Sequence, residues 1–213
     1  MCVGIVCLTV PLVSNMNKEF VIFIGRSGSG KSTQINLLER YIKDSGIENI
    51  LRLSTGATFR EFVSKTNYSG SLARNIIDNG GLMPDFLAVW NWSNILIENL
   101  KSDHSVISDG APRQIFEAEA LESAIKFYEF SRPVVIYIDL DKSIARERLL
   151  SREEGREDDK NLQAINSRLD WFDQKVLPVV EYYKNNSFYK FIAVDGSDTI
   201  ENIFENIKKQ WGQ

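Results

Sequence analysis

Three observations predict an α/β fold in three layers, helices on both faces of a five-stranded parallel sheet. Five short apolar runs alternate with longer segments of helical periodicity, the pattern of a parallel sheet covered on both sides. Runs such as Val134-Val135-Ile136-Tyr137-Ile138 lack in/out alternation, as strands buried on both faces should. The first run also leads directly into a glycine-rich turn and an amphipathic helix.

That first strand is Phe20–Ile24, and the helix after it covers Lys31–Lys43. Between them lies Gly25-Arg26-Ser27-Gly28-Ser29-Gly30-Lys31-Ser32-Thr33, a phosphate-binding P-loop in the strand-loop-helix context that such a loop requires. Glycine lets the chain curl without a Cβ clash, and the amides of the loop and helix N-terminus converge on one concavity. Lys31 supplies a full charge near the β- and γ-phosphates, and Ser32 a hydroxyl for Mg²⁺. A nucleoside triphosphate is the expected ligand.

The second strand is Ile50–Leu53. The stretch from Thr58 to Gly81 reads as short helices without a strand, hence as an insertion. A helix over Asp85–Leu100 precedes a strand at Ser105–Ser108. Helix Arg113–Tyr128, strand Pro133–Asp139 and helix Ser143–Leu150 follow. The charge run Ser151–Lys160 then separates that helix from one at Leu162–Tyr183, and the chain closes on strand Tyr189–Val194 and helix Thr199–Trp211. Ligands of open α/β sheets lie at the carboxyl ends of the strands, where these polar segments gather.

Composition narrows the function. At 213 residues and 43% hydrophobic, the chain suits one domain, here residues 18–213. A net charge of −4 argues against a nucleic-acid surface as the main function. Cys2 and Cys7 come too early to staple the fold or complete a zinc site, and His104 sits in a polar turn as a solvated residue. Met1–Asn15 is apolar and uncharged but lacks a basic flank and a small-residue cleavage site. It is also too short and Pro-interrupted to span a membrane. Residues 1–17 are therefore read as a disordered extension, or as the product of a start upstream of Met16. An ATP-dependent enzyme outside the cell would lack its substrate, so a cytoplasmic location is expected.

At this point the motifs resemble one family, the adenylate kinases, over nearly everything from Phe20 onward. Gly25–Thr33 with Gln34 is similar to that family's P-loop. Ser54-Thr55-Gly56 with Arg60 resembles its acceptor-binding helix, Gly81-Leu82-Met83-Pro84-Asp85 the segment closing the acceptor pocket, and Asp109-Gly110-Ala111-Pro112-Arg113 its Asp-Gly-Phe-Pro-Arg motif. Arg152, Gly155-Arg156 and Asp158-Asp159 resemble a short lid, with Arg168-Leu169 on the helix after it.

The resemblance implies a monomeric phosphotransferase that moves the ATP γ-phosphoryl group to a nucleoside monophosphate, AMP first among them, with Mg²⁺. Catalysis would consist mainly of positioning phosphates and neutralising their charge. Lys31, Arg113, Arg152, Arg156, Arg168 and Asp109 would be catalytic, Asp109 standing near Mg²⁺ through water. Gly25, Ser27, Gly28, Ser29, Gly30, Ser32, Thr33 and Arg148 would bind ATP, Arg148 against the adenine. Thr55, Gly56, Arg60, Met83, Gly110, Arg113 and Glu117 would bind the acceptor, within a segment at about 55–84. Asp158 and Asp159 would latch a lid at about 151–160, which has no cysteine and so no zinc. No membrane or nucleic-acid partner is implied.

Four residues or spacings depart from the family pattern. Ala57 replaces an Asp near Mg²⁺, Ala111 replaces a Phe and should leave space near the acceptor, and the step from Asp159 to Arg168 is one residue longer than usual. Glu117 stands where Gln is usual. Gln can donate to adenine N1 and accept from N6, whereas a carboxylate only accepts, which suits the adjacent donors of guanine. GMP is therefore an alternative acceptor, as is a pyrimidine monophosphate. The bland alternative puts Glu117 on an exposed helix face. A catalytically weak nucleotide sensor is the rival from another class, against which the lid arginines argue.

Overall fold

In this computed structural model residues 18–151 and 162–212 are described. Strands β1 (Phe20–Gly25), β2 (Ile50–Ser54), β3 (Ser105–Asp109), β4 (Val134–Asp139) and β5 (Lys190–Asp195) form one sheet in the order β2-β3-β1-β4-β5. Every pairing is parallel. The helices are α1 (Lys31–Asp44), α2 (Thr55–Ser64), α3 (Tyr68–Asp78), α4 (Asp85–Asn99), α5 (Ile115–Phe127), α6 (Lys142–Leu150), α7 (Leu162–Trp171), α8 (Leu177–Lys184) and α9 (Ile200–Trp211). The predicted five-stranded α/β architecture is thus the observed one.

Strand β1 shows why its sequence carries no alternation. Phe20, Ile22 and Ile24 enter one core with Trp92, Leu121 and Tyr183, while Val21 and Phe23 enter the opposite core with Ile35, Leu38 and Ile203. The side chains still alternate in space, but both faces are covered, so both sets are apolar. Chain order reverses across β1, because β3 lies on one side of it and β4 on the other. Ligand crevices form at such a switch point, beyond the carboxyl ends of the strands.

The insertion after β2 folds as α2 and α3 and shares a small core with the start of α4, namely Phe59, Phe62, Ala73, Met83, Leu87 and Ala88. Asn67 caps α3 by accepting a 2.7 Å bond from the Gly70 amide. The expected helix over 162–183 is interrupted: Phe172–Val176 form a π-helical turn between α7 and α8. Turns of this kind are frequent at functional sites. Here it carries Asp173 to the P-loop residue Arg26, with which it forms an ion pair, and to Lys142 Nζ at 3.0 Å. Arg26 also covers the Phe172 ring at 4.5 Å and donates to the Leu140 carbonyl. The π turn is thereby clamped to the loops after β1 and β4.

Ala111 corrects one expectation. It does not open space beside the acceptor but packs in the main core, 1% exposed, and its carbonyl accepts from Ser108 Oγ. The extension at 1–17 and the run from Arg152 through Asn161, with Arg152, Arg156, Asp158 and Asp159, lie outside the described residues.

Burial pushes the Asp173 carboxyl up, but bonds from Lys142 and Arg26 outweigh it, and its pKa lies below the ordinary 3.8. A lowered carboxylate stabilises the fold above its ordinary range and loses that contribution as pH falls through the folded value. Asp173→Asn is expected to cost about 1 kcal/mol at neutral pH, discounted because the pair is partly exposed. The gap from the unaltered chain should close in acid, which urea midpoints at neutral and low pH would measure.

Candidate active site

The turn after β1 is shaped by Gly28 and Gly30, whose φ angles of 86° and 85° lie in the left-handed region. A Cβ at Gly28 would also stand 2.8 Å from the Ala145 carbonyl of α6. Gly30 precedes α1 without a side-chain cap, so the first amides of that helix face the concavity. Lys31 folds over the loop, its Nζ donating to the carbonyls of Gly25 at 2.6 Å and Arg26 at 2.8 Å.

Around this turn one cleft gathers side chains from widely separated elements. Ser27, Gly28, Gly30, Lys31, Ser32 and Thr33 meet Gly56 and Arg60 of α2, Asp109 at the end of β3, Gly110 and Arg113 of the following turn, and Arg168 of α7. Among the described residues lining it are four cations, Lys31, Arg60, Arg113 and Arg168, and one carboxylate, Asp109. An anionic ligand fits that balance. Gly110 adopts φ 94° and turns its carbonyl to accept from Arg113 Nε at 2.7 Å, which fixes the guanidinium. The register Phe23↔Asp109 sets the carboxylate beside the strand that carries the P-loop.

A second cavity adjoins the first beside α2. Gly56, Phe59, Arg60, Ile77, Gly80, Gly81 and Met83 line it together with Arg113, Arg168 and Trp171. A third lies beyond the P-loop, where Gly28, Ser29, Gly30, Thr33, Gln34 and Arg148 meet Asp198, Thr199 and Ile200. Arg148 Nη1 donates to the Gly196 carbonyl at 2.9 Å, and Gln34 Nε2 to the Ile200 carbonyl. Gly25 borders the pocket behind the loop, with Pro112 and Phe172.

Two anticipated acceptor residues sit beneath the cleft. Thr55 is buried and reaches the Asp109 carbonyl at 3.4 Å. Glu117, 3% exposed, is not on a solvated helix face. Its Oε2 accepts from the Arg113 amide at 2.6 Å, so it caps the start of α5 from within, as a glutamate at the third helical position can. Burial is the main cause that pushes this carboxyl up to about 7. The Arg113 amide and charge oppose the shift, and Asp85 adds to it.

Sequence reasoning missed Arg52 and Trp171. Arg52 Nη2 bonds Asp109 Oδ2 at 2.8 Å, and its Nη1 bonds Asn36. The only signal was a cation inside an apolar strand. Trp171 follows Arg168 by three residues, on the same helix face.

The cleft suits Mg²⁺ held chiefly by substrate. Ser32 offers a hydroxyl and Asp109 a carboxylate, one oxygen of which is engaged by Arg52. Among the described residues no group of three or more His, Cys, Asp and Glu could hold a metal. Mg²⁺ commonly keeps several waters and takes phosphates as ligands, so a sparse protein set fits it.

Comparison with known proteins agrees with this arrangement. The family model described as Adenylate kinase matches residues 23–188. An adenylate kinase of Parabacteroides distasonis is 36% identical over 191 residues, covering 89% of this chain and 95% of that one. An adenylate kinase of Flavobacterium psychrophilum is 32% identical over 194 residues, with 89% and 96% covered. One of Prochlorococcus marinus is 31% identical over 194 residues, with 91% and 98% covered.

A pH dependence follows from Glu117. Because its folded pKa is raised, the native state binds a proton that the unfolded chain has released, and stability falls as pH rises from 4.5 to about 7. The full loss is about 3 kcal/mol. Glu117→Gln, which can still accept from the Arg113 amide, should flatten that decline in thermal midpoints taken across the same range.

Proposed function

The chain belongs to the adenylate kinase family and is a nucleoside monophosphate kinase, and we propose that it transfers the γ-phosphoryl group of ATP to AMP, giving two ADP. The observation that carries this reading is the convergence of Lys31, Arg60, Arg113 and Arg168 on the P-loop. A triphosphate alone would need the loop and Lys31. Arginines from α2, the β3 turn and α7 supply the charge for a second phosphate-bearing substrate.

In the proposed reaction an oxygen of the AMP phosphate attacks the γ-phosphorus in line. The bond to the β–γ bridging oxygen breaks and its electrons leave with ADP. No side chain acts as base, because the acceptor phosphate is already anionic. The loop amides and Lys31 hold the donor phosphates, Arg60 and Arg113 orient the acceptor phosphate, and Arg168 faces the transferring group. Ser32 and Asp109, the latter through water, would hold Mg²⁺, which when bound neutralises the donor phosphates. Arg152 and Arg156 are proposed to join them from a lid at about 151–160, latched by Asp158 and Asp159, with the acceptor segment at about 55–84. The cavity between Arg148 and Thr199–Ile200 would take the donor adenine, bounded by Ser29 and Thr33. A monomer in the cytoplasm is the proposed setting; no helix among the described residues is long and apolar enough to cross a membrane.

Glu117 bears on the acceptor base. Its Oε2 is already engaged by the Arg113 amide, which competes with bidentate acceptance from guanine. With a pKa of about 7, much of the carboxyl is protonated at neutral pH and can both donate and accept, as the amide of Gln does. Both points favour AMP over GMP.

Initial rates of ADP formation from ATP with AMP, GMP, CMP and UMP test this, AMP being expected as the best acceptor. Lys31→Ala and Arg113→Ala should each lower kcat by roughly 10²–10³-fold, the scale of a lost transition-state contact. Normal turnover in Arg113→Ala would refute the assignment of the acceptor phosphate.

A further inference from the structure

Trp171 ends α7 and stands between the acceptor cavity and the pocket behind the P-loop, lining both. Its indole Nε1–H donates to the Gly80 carbonyl at 2.9 Å, a bond that ties α7 to the loop between α3 and α4. The approach is close enough to demand glycine. Gly80 has φ 66°, and a Cβ there would stand 2.4 Å from the Ala164 carbonyl. Ala164, Arg168 and Trp171 follow one another at helical spacing, so a single face of α7 meets the acceptor segment. The ring of the indole is engaged too, since the Arg113 guanidinium lies over it, 5.4 Å from the centroid. Arg113 is held at its Nε by Gly110 and at its amide by Glu117, and the indole backs the guanidinium at a third point.

We propose that Trp171 is a positioning residue of the acceptor site, joining the loop that closes the base pocket to the arginine that receives the acceptor phosphate. This rests on the reading of the cleft as a two-nucleotide site. Both attachments of the indole are on the acceptor side, and the cavity between Arg148 and Ile200 contains no part of it. Its loss therefore weakens the monophosphate and spares ATP. Of the four tryptophans, each among the described residues, Trp171 is the one that lines the two cavities adjoining the cleft. Its emission is the one to respond when a monophosphate enters.

Two substitutions separate the two attachments. Trp171→Phe keeps a π-face for Arg113 and removes the N–H that Gly80 accepts, whereas Trp171→Leu removes both. Full-length protein is assayed for KM of AMP at saturating ATP and KM of ATP at saturating AMP. The expected rise in KM for AMP is about 5-fold for Phe and about 20-fold for Leu, with KM for ATP within about twofold of the unaltered chain. AMP titrated without ATP should change the tryptophan emission of the unaltered chain and leave that of Trp171→Phe unchanged. A merely structural role would lower the active fraction without moving one KM alone. Equal changes in both KM values, or an unchanged KM for AMP in Trp171→Leu, would overturn the proposal. Absence of ADP formation from ATP and any monophosphate by the unaltered chain would instead overturn the reading of the cleft.

Discussion

Like charges held a few ångströms apart repel by roughly 4 kcal/mol per pair even at an effective dielectric of 20, and the cleft assembles four cations. Among the described residues, oriented carbonyls answer part of this constraint. Gly25 and Arg26 turn their carbonyls to Lys31, and Gly110 turns its own to Arg113. The carboxylate of Asp109 is shared with Arg52 beneath the cleft. Such carbonyls point inward only where the backbone is free to reverse, and the left-handed residues Gly28, Gly30 and Gly110 flank these turns. The placement of Lys31 and Arg113 thus depends on local backbone geometry at the ends of β1 and β3.

That geometry is held from below by contacts of the core. Strands β1 and β3 are neighbours in register and buried on both faces, so the turns that leave them share a rigid base. Arg26 turns away from the cleft and anchors the P-loop to the π turn through Asp173 and Phe172. Lys142 joins the same cluster through Asp170 and Asp173, bringing in the start of α6. One charged cluster therefore ties the P-loop to α6 and to the turn between α7 and α8.

Glu117 and Trp171 show how contacts from other elements hold Arg113, its backbone and its side chain separately. Each is attached to Arg113, one at its amide and one at its guanidinium. Each also belongs to another element, α5 or α7, so its position is set by packing outside the cleft. Burial of a carboxyl at the first turn of α5 is costly when it is charged. That cost raises its pKa into the neutral range and makes it a donor as well as an acceptor.

The sequence by itself determined what depends on neighbouring residues. The strands, the amphipathic helices and the glycine turn before Lys31 are local patterns, and all were legible. The Asp109–Arg113 turn was legible as well, although its third residue, Ala111, proved to face the core. Tertiary structure alone decided which distant residues share a polar contact. Arg52 meets Asp109 across 57 positions and Trp171 meets Gly80 across 91, and no periodicity encodes such a pairing. Only the folded chain reveals that Glu117 is buried, because its helical position is compatible with either face until α5 is packed. The π turn was likewise hidden, since a helix that gains a residue to carry Asp173 toward Arg26 keeps the same apolar pattern on either side. Local propensity sets the elements; burial and long-range pairing set what their polar side chains can do.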